Sequence, residues 1–375
     1  MAHAVPTRLL DPSPHRGEGA FHANVTSRAF VTLLLLFSSV VVSAQTPTAP
    51  SQAPPAEPEY PVVRVGMLSY LQYAAELENR EGLNTFDVTR AYVNINAQLA
   101  KSLRFRFTPD IRRVSDGSLA GSLTVRVKYA FLQVDDVTPR SWIRFGLTQT
   151  PWLDFEEGVI RYRVQGTMFS EREGLIPGSA DFGVGYFTPL PGNYGELHAG
   201  VYNGEGFSQT DPNRYKSVQG RLTIRPAPNR GLAHFLRVSA FYSAGRYAAD
   251  RARNVGIVMA HYEHRHLVAA VQRVDATDNP SALAPRDIQR SGWSVFIEPR
   301  QGTQGWAGIA RIETFDPDGA LADDSHRRII GGGAYWFVWN RARLGLVATN
   351  EQVHYDAGAA RPTENRLLFQ THVEF

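Results

Sequence analysis

The chain has no cysteine and only three lysines, Lys101, Lys128 and Lys216, in its 375 residues. The first absence excludes disulfides, thiolate metal sites and cysteine nucleophiles together. It also suits export through an oxidising periplasm. The second leaves arginine carrying nearly all the positive charge, and guanidinium matches planar anions such as carboxylate and phosphate. The formal net charge is only +3 and no basic block occurs, so no nucleic-acid partner is expected. After residue 45 no stretch approaches the ~18 consecutive apolar residues of a transmembrane helix. An ordinary mean hydropathy fits a soluble protein. It fits a membrane β-barrel equally, because there only alternate residues meet lipid.

Near the start, Ala29 to Ala44 is an apolar run with Arg28 before it and Val42-Ser43-Ala44 at its end. That is the pattern of a secretory leader with a small-x-small cleavage site. Residues 1–44 are therefore expected to be a signal peptide cut after Ala44. The polar segment before Val25 is unlike a leader's basic start, and Val25 is itself a candidate start position. Residues 45–61 carry prolines at 47, 50, 54, 55, 58 and 61 and read as a periplasmic linker.

From residue 62 to 375 the signal is a two-residue period. At the C-terminus Leu367, Phe369, Val373 and Phe375 share one parity; Leu368, Gln370, His372 and Glu374 share the other. An apolar strand ending on an aromatic suits a barrel whose last strand pairs with its first. The same alternation sets Leu103, Phe105 and Phe107 against Arg104 and Arg106. It sets Leu123, Val125, Val127, Tyr129 and Phe131 against Thr124, Arg126 and Lys128. Ile143, Phe145 and Leu147 likewise oppose Arg144 and Thr148.

Connections discriminate a barrel from a sandwich. Short ones lie near 99–102, 135–140, 190–195, 226–232, 263–266, 299–304 and 339–341. Longer ones lie near 75–85, 112–121, 149–180, 203–216, 245–253, 275–289, 315–326 and 356–364. They take turns, which an up-and-down transmembrane barrel predicts and a Greek-key sandwich does not. The expected fold is all-β: an antiparallel transmembrane barrel of about 16 strands in the outer membrane, its outer face against lipid. Closure pairs every backbone group that would otherwise meet hydrocarbon.

Function is then sought on the face opposite the apolar one. Arg104, Arg106, Arg126, Lys128 and Arg144 lie on three consecutive strands and are the candidate basic wall of a pore. Such a wall concentrates small hydrophilic anions. The connection after the fifth strand, 149–180, is longer than a turn requires. Its Glu156, Glu157, Arg161 and Arg163 are candidates for a constriction folded into the lumen. His261, Glu263, His264 and His266 straddle an expected tight turn and do not share a face, so no metal site is expected there. Gly331-Gly332-Gly333 lies in a strand run and reads as a packing or kink site. No cofactor is implied and no nucleophile motif is present, so no catalysis is expected. The alternative is a closed or enzymatic barrel without channel activity.

Several short motifs occur in a suggestive order: Asp87-Val-Thr-Arg-Ala-Tyr92, Arg144-Phe-Gly-Leu-Thr-Gln-Thr-Pro151, Asp181-Phe-Gly-Val-Gly185, Tyr202-Asn-Gly-Glu-Gly206 and Gly220-Arg-Leu-Thr-Ile-Arg-Pro226. Across residues 62–375 the chain resembles the phosphate-selective porin O and P family. The resemblance implies a 16-stranded outer-membrane channel, usually a homotrimer, that passes small anions and in its best-known members selects phosphate. Those members use an arginine ladder and a lysine cluster; here the three lysines are scattered.

Overall fold

The computed structural model describes residues 59–114, 117–279 and 286–375. The expected leader, and residues 45–58 of the expected linker, lie outside the described residues. β1 (Val62–Glu78) and β2 (Asn84–Ala100) are the longest strands, with 17 residues each. β3 (Leu103–Arg113) and β4 (Leu123–Asp135) follow. The wall then drops: β5 (Trp142–Gln149), β7 (Gly195–Tyr202) and β8 (Ser217–Ile224) have 8 residues each, and β6 (Ala180–Pro189) has 10. It rises again through β9 (Leu236–Ala248), β10 (Arg251–His264), β11 (Leu267–Asp278) and β12 (Ile288–Pro299). β13 (Gly305–Asp316), β14 (His326–Trp339), β15 (Ala342–Tyr355) and β16 (Glu364–Glu374) complete the set.

Each strand pairs antiparallel with its neighbours in sequence, and β1 pairs with β16 to close the ring. Met67 N–H donates to the Phe375 carbonyl (2.8 Å), and Phe375 N–H donates back to Met67 (3.0 Å). The terminal aromatic residue is thus the last rung of the seam. Along β16, Phe369 points outward and is about half exposed, whereas Leu368, Gln370 and His372 are buried inside. The outer face carries Val125, Phe145, Val218, Trp293, Trp306 and Leu346. Closure satisfies the backbone and the outer face satisfies the lipid.

The expected parity fails in β4. Thr108 pairs with Tyr129 and Pro109 with Val127, so Lys128 is an extra residue in β4. Proline has no N–H to give the ladder, and the bulge takes up the mismatch. Beyond it the faces exchange. Tyr129 and Phe131, read above as lipid-facing, turn inward, and Leu132 and Val134 turn out.

The connections need correction in length, though not in place. Segment 245–253 is a tight hairpin with only residues 249–250 between the strands, because β9 and β10 stay paired through the polar stretch apart from a bulge at Tyr247. Segment 226–232 is the opposite case: the connection runs over 225–235 and contains a short 3₁₀ turn, Gly231–Phe235. Long and short therefore do not strictly alternate, although all fifteen connections fall at the expected places. Gly332 is required by packing, since a Cβ there would lie 2.1 Å from the Ala348 carbonyl oxygen on β15. The His261–His266 segment turns at 265–266. Among the described residues no group of His, Asp and Glu is arranged to hold a metal.

Candidate functional site

Residues 150–179 turn into the barrel after β5. The base is pinned where Thr150 N–H donates to the Ser179 carbonyl (2.9 Å). Two short helices follow, α1 (Leu153–Val159) and α2 (Phe169–Arg172). Trp152, Leu153, Met168 and Phe169 are fully buried. An amphipathic surface loop would not bury such residues; these sit in the apolar interior made by Phe241, Ile257, Met259, Phe296 and Trp336. The hydrophobic contact that would otherwise face an aqueous lumen is what drives the loop in.

The loop crosses the whole interior. It is rooted at the mouth opposite the chain termini. Yet Arg161 Nη1 donates to the carbonyl of Thr303 (3.0 Å), in the turn between β12 and β13 at the other mouth. On the way it binds many strands. Arg221 of β8 donates from Nε to the Pro151 carbonyl (2.8 Å) and lies 3.9 Å over the Phe155 ring. Tyr129 of β4 donates to Asp154 (3.1 Å). Arg161 Nε and the Tyr162 hydroxyl both donate to Glu298 of β12 at 2.7 Å. Gln165 donates to Glu351 of β15 (2.9 Å), and Gln370 of β16 donates to the Val164 carbonyl (2.7 Å). Arg172 pairs with Glu313 of β13.

Each candidate residue can now be placed. Arg104, Arg106, Arg126, Lys128 and Arg144 all sit on the inner face. Arg104 is neutralised by Asp135 (2.6 Å) and Arg126 by Asp110 (2.7 Å). Arg106 donates to Asn94 (2.8 Å) and Thr108, and stacks on Tyr129. Arg144 donates to Gln133 and Gln149, each at 2.7 Å, and lies 3.8 Å over Trp142. Lys128, carried inward by the bulge, has its ammonium between the Tyr92 and Tyr129 rings at 4.8 and 4.9 Å. Among the described residues no hydrogen-bond partner satisfies that ammonium.

The four loop candidates are all buried. Glu157 accepts from Arg163 (3.1 Å), which also reaches Glu171 (3.4 Å). Glu156 accepts from the Trp152 indole (2.9 Å). Burial pushes the Glu156 carboxyl up to about 7, against the opposing pull of Arg311. Burial raises Glu157 as well, with Arg163 and Lys128 opposing. A carboxylate loses solvation inside the barrel, so the neutral form is favoured until a cation compensates.

Sequence reasoning missed the acids of the wall. Asp110 lies between Arg90 (3.4 Å) and Arg126. Glu298 lies between Arg161 and Arg300 (3.2 Å). Glu313 meets Arg172, Arg311 (2.6 Å) and Arg328 (3.9 Å); Glu351 meets Arg328 and Arg366 (3.0 Å). The signal was available, since these residues share the inward parity of their strands. Each of these four carboxylates is shared by two or three guanidiniums, Arg328 serving both Glu313 and Glu351, so these clusters keep a positive balance; Arg163, which serves both Glu157 and Glu171, is the reverse case. Two motifs singled out above also meet. Asp181 accepts from the N–H groups of Phe182 (2.7 Å) and Gly204 (2.6 Å), tying the Tyr202–Gly206 segment beside the loop's exit.

No family model matches this chain, and no curated protein does. Solved structures do match, at low identity. An in-vitro folded trimer form of OmpT, an outer membrane protein of Vibrio cholerae, is 14% identical, covers 84% of this chain and 99% of its own, and has a TM-score of 0.55. An anion-selective porin from Comamonas acidovorans is 12% identical over 84% of this chain and 100% of its own, with a TM-score of 0.58. The outer membrane channel DcaP of Acinetobacter baumannii is 12% identical over 84% and 97%, with a TM-score of 0.56. The shared feature is the fold: a closed 16-strand antiparallel barrel of the outer membrane.

Proposed function

We propose that this protein is a channel for small hydrophilic solutes across the outer membrane, passing anions ahead of cations. The observation that carries the reading is the sharing of Asp110, Glu298, Glu313 and Glu351 among a larger number of guanidiniums around an inserted loop. A confined positive balance raises the local concentration of anions. The most exposed of these guanidiniums is Arg366 beside Glu351, at 37% exposure. The resemblance to phosphate-selective porins, and the fold shared with an anion-selective porin, support the same class. Phosphate is the anion we would try first, and a homotrimer the assembly.

The test is single-channel recording in planar bilayers across a KCl gradient. An anion-side reversal potential is expected, with block by added phosphate if the preference is that fine. Replacing Arg126 with Glu should move the reversal potential toward the cation side; an unmoved potential removes this wall from selectivity.

A pH effect should accompany it. Glu156 ionises near ~4.3 in a solvated chain but at about 7 in the folded loop. The stabilisation from its neutral form is complete below the lower value and lost as pH rises through 7. Raising the pH through 7 therefore adds negative charge inside the barrel and loosens the loop. Anion preference should be strongest below pH ~6 and weaker above ~8. A flat selectivity across that range would contradict the assignment.

One observation favours a second reading. The loop's apolar residues pack as a core against inward-facing Ile257, Phe296 and Trp336, as they would in a closed barrel. That reading predicts silence in the bilayer from correctly folded protein.

A further inference from the structure

The molecule has a second concave feature, and it lies outside the lumen. At the rim where β9 and β10 form their tight hairpin there is a pocket of about 570 Å³. Its wall includes Lys216, Tyr242, Arg246, Asp250, Arg251 and Asn254. The ladder places Tyr242 in register with Gly220 on one side and Gly256 on the other. Tyr242 is 57% exposed on the outer face, in line with other outward residues such as Val218 and Val258. One step toward the rim the outward positions are Val218, Ala244 and Asn254; the next holds Arg246, with Lys216 beside it on the extension of β8. The order along the wall is apolar, then aromatic, then cationic.

That order matches a membrane interface. Outward aromatics mark the depth of the headgroups, and here Tyr242 does so. The cations just beyond them lie where phosphates of lipid headgroups lie. The Tyr242 ring rests beside Gly256, and Gly220 on its other flank leaves a shallow track below the pocket where an acyl chain can rest. Three cations face the pocket, offset by Asp250 and by Asp211, which pairs with Lys216. Arg246 donates to the Ala249 carbonyl (2.8 Å) and has no acidic partner among the described residues. Lys216, one of three lysines in the chain, stands here.

We propose that this rim pocket binds the anionic phosphate headgroup of a membrane lipid, with the lipid's chain lying along Tyr242. The proposal rests on the outer-membrane placement of the barrel and is independent of whether the lumen conducts.

The test is native mass spectrometry of the detergent-purified full protein with phosphatidylglycerol, phosphatidylcholine or inorganic phosphate. The expected result is retention of phosphatidylglycerol well above phosphatidylcholine, undisturbed by millimolar phosphate. The double variant Lys216→Ala/Arg246→Ala should weaken it by about thirtyfold, the effect of two charges near a membrane surface. Heat-modifiable migration on gels checks that the variant is folded. Binding of free phosphate that displaces the lipid would overturn the lipid assignment in favour of a phosphate site. Equal retention of both lipids, or a folded double variant that binds as before, would overturn the pocket altogether. A second variant, Tyr242→Ala, should weaken long-chain lipid but not a short-chain analogue.

Discussion

Excising residues 152–176, and joining the ends by a short Gly–Ser turn, should raise single-channel conductance by about fivefold or more, since an empty 16-strand barrel is wide enough for an aqueous channel. The barrel survives such a cut for a physical reason. Its backbone hydrogen bonds run from strand to strand, and the ring is sealed at β1–β16 without the loop. What the cut removes is the material that crosses the interior from the pinned base at Thr150 to the contact of Arg161 with Thr303. Inward apolar residues such as Ile257 and Met259 become wetted, so some loss of thermal stability is expected alongside. Folding is checked by heat-modifiable migration. A folded variant that conducts no better than the parent would show that the loop does not limit passage.

The second large effect is on stability. Replacing Glu313 with Ala should cost about 3–5 kcal/mol, the usual result of removing one partner from a buried ionic cluster. Glu313 is 2% exposed and meets Arg172 of the loop and Arg311 and Arg328 of the wall. Without it those guanidiniums stay buried with less compensation. Glu313→Gln keeps a hydrogen-bond acceptor and should lie between the two. The cost is read from urea unfolding of protein refolded into vesicles. A double-mutant cycle with Arg172→Ala isolates the loop's share. A cost below about 1 kcal/mol, as for a solvated pair, would mean that water reaches this cluster freely.

Much of this architecture is readable from the order of residues, and the reasons differ by feature. The period of two in 103–107 and 142–148 sends Arg104, Arg106 and Arg144 inward because side chains alternate across a strand. Connections are readable because turn residues cluster between alternating runs. The hairpin at 249–250 was not readable as tight. Its polar Arg246, Asp250 and Arg251 resemble a loop, yet strands that extend past the hydrocarbon need no apolar face. The bulge at Lys128 was hidden because its cause, Pro109, lies on the partner strand rather than in β4. The loop's path was hidden for a related reason. Arg161 and Glu298 are 137 residues apart in sequence, and no local pattern joins them. The motif reading found the loop's charges but not the wall carboxylates that hold them.

The uneven height of the wall has a mechanical consequence for the bilayer. Strands of 8 residues, as in β5, β7 and β8, tilted as in other membrane barrels, rise roughly 20 Å, somewhat less than a typical ~25 Å apolar band. The 17-residue β1 and β2 rise well beyond it. Lipid around this barrel therefore cannot keep one thickness. It must thin beside the low sector and recover toward the tall one, so the protein imposes a gradient of membrane deformation around its own circumference.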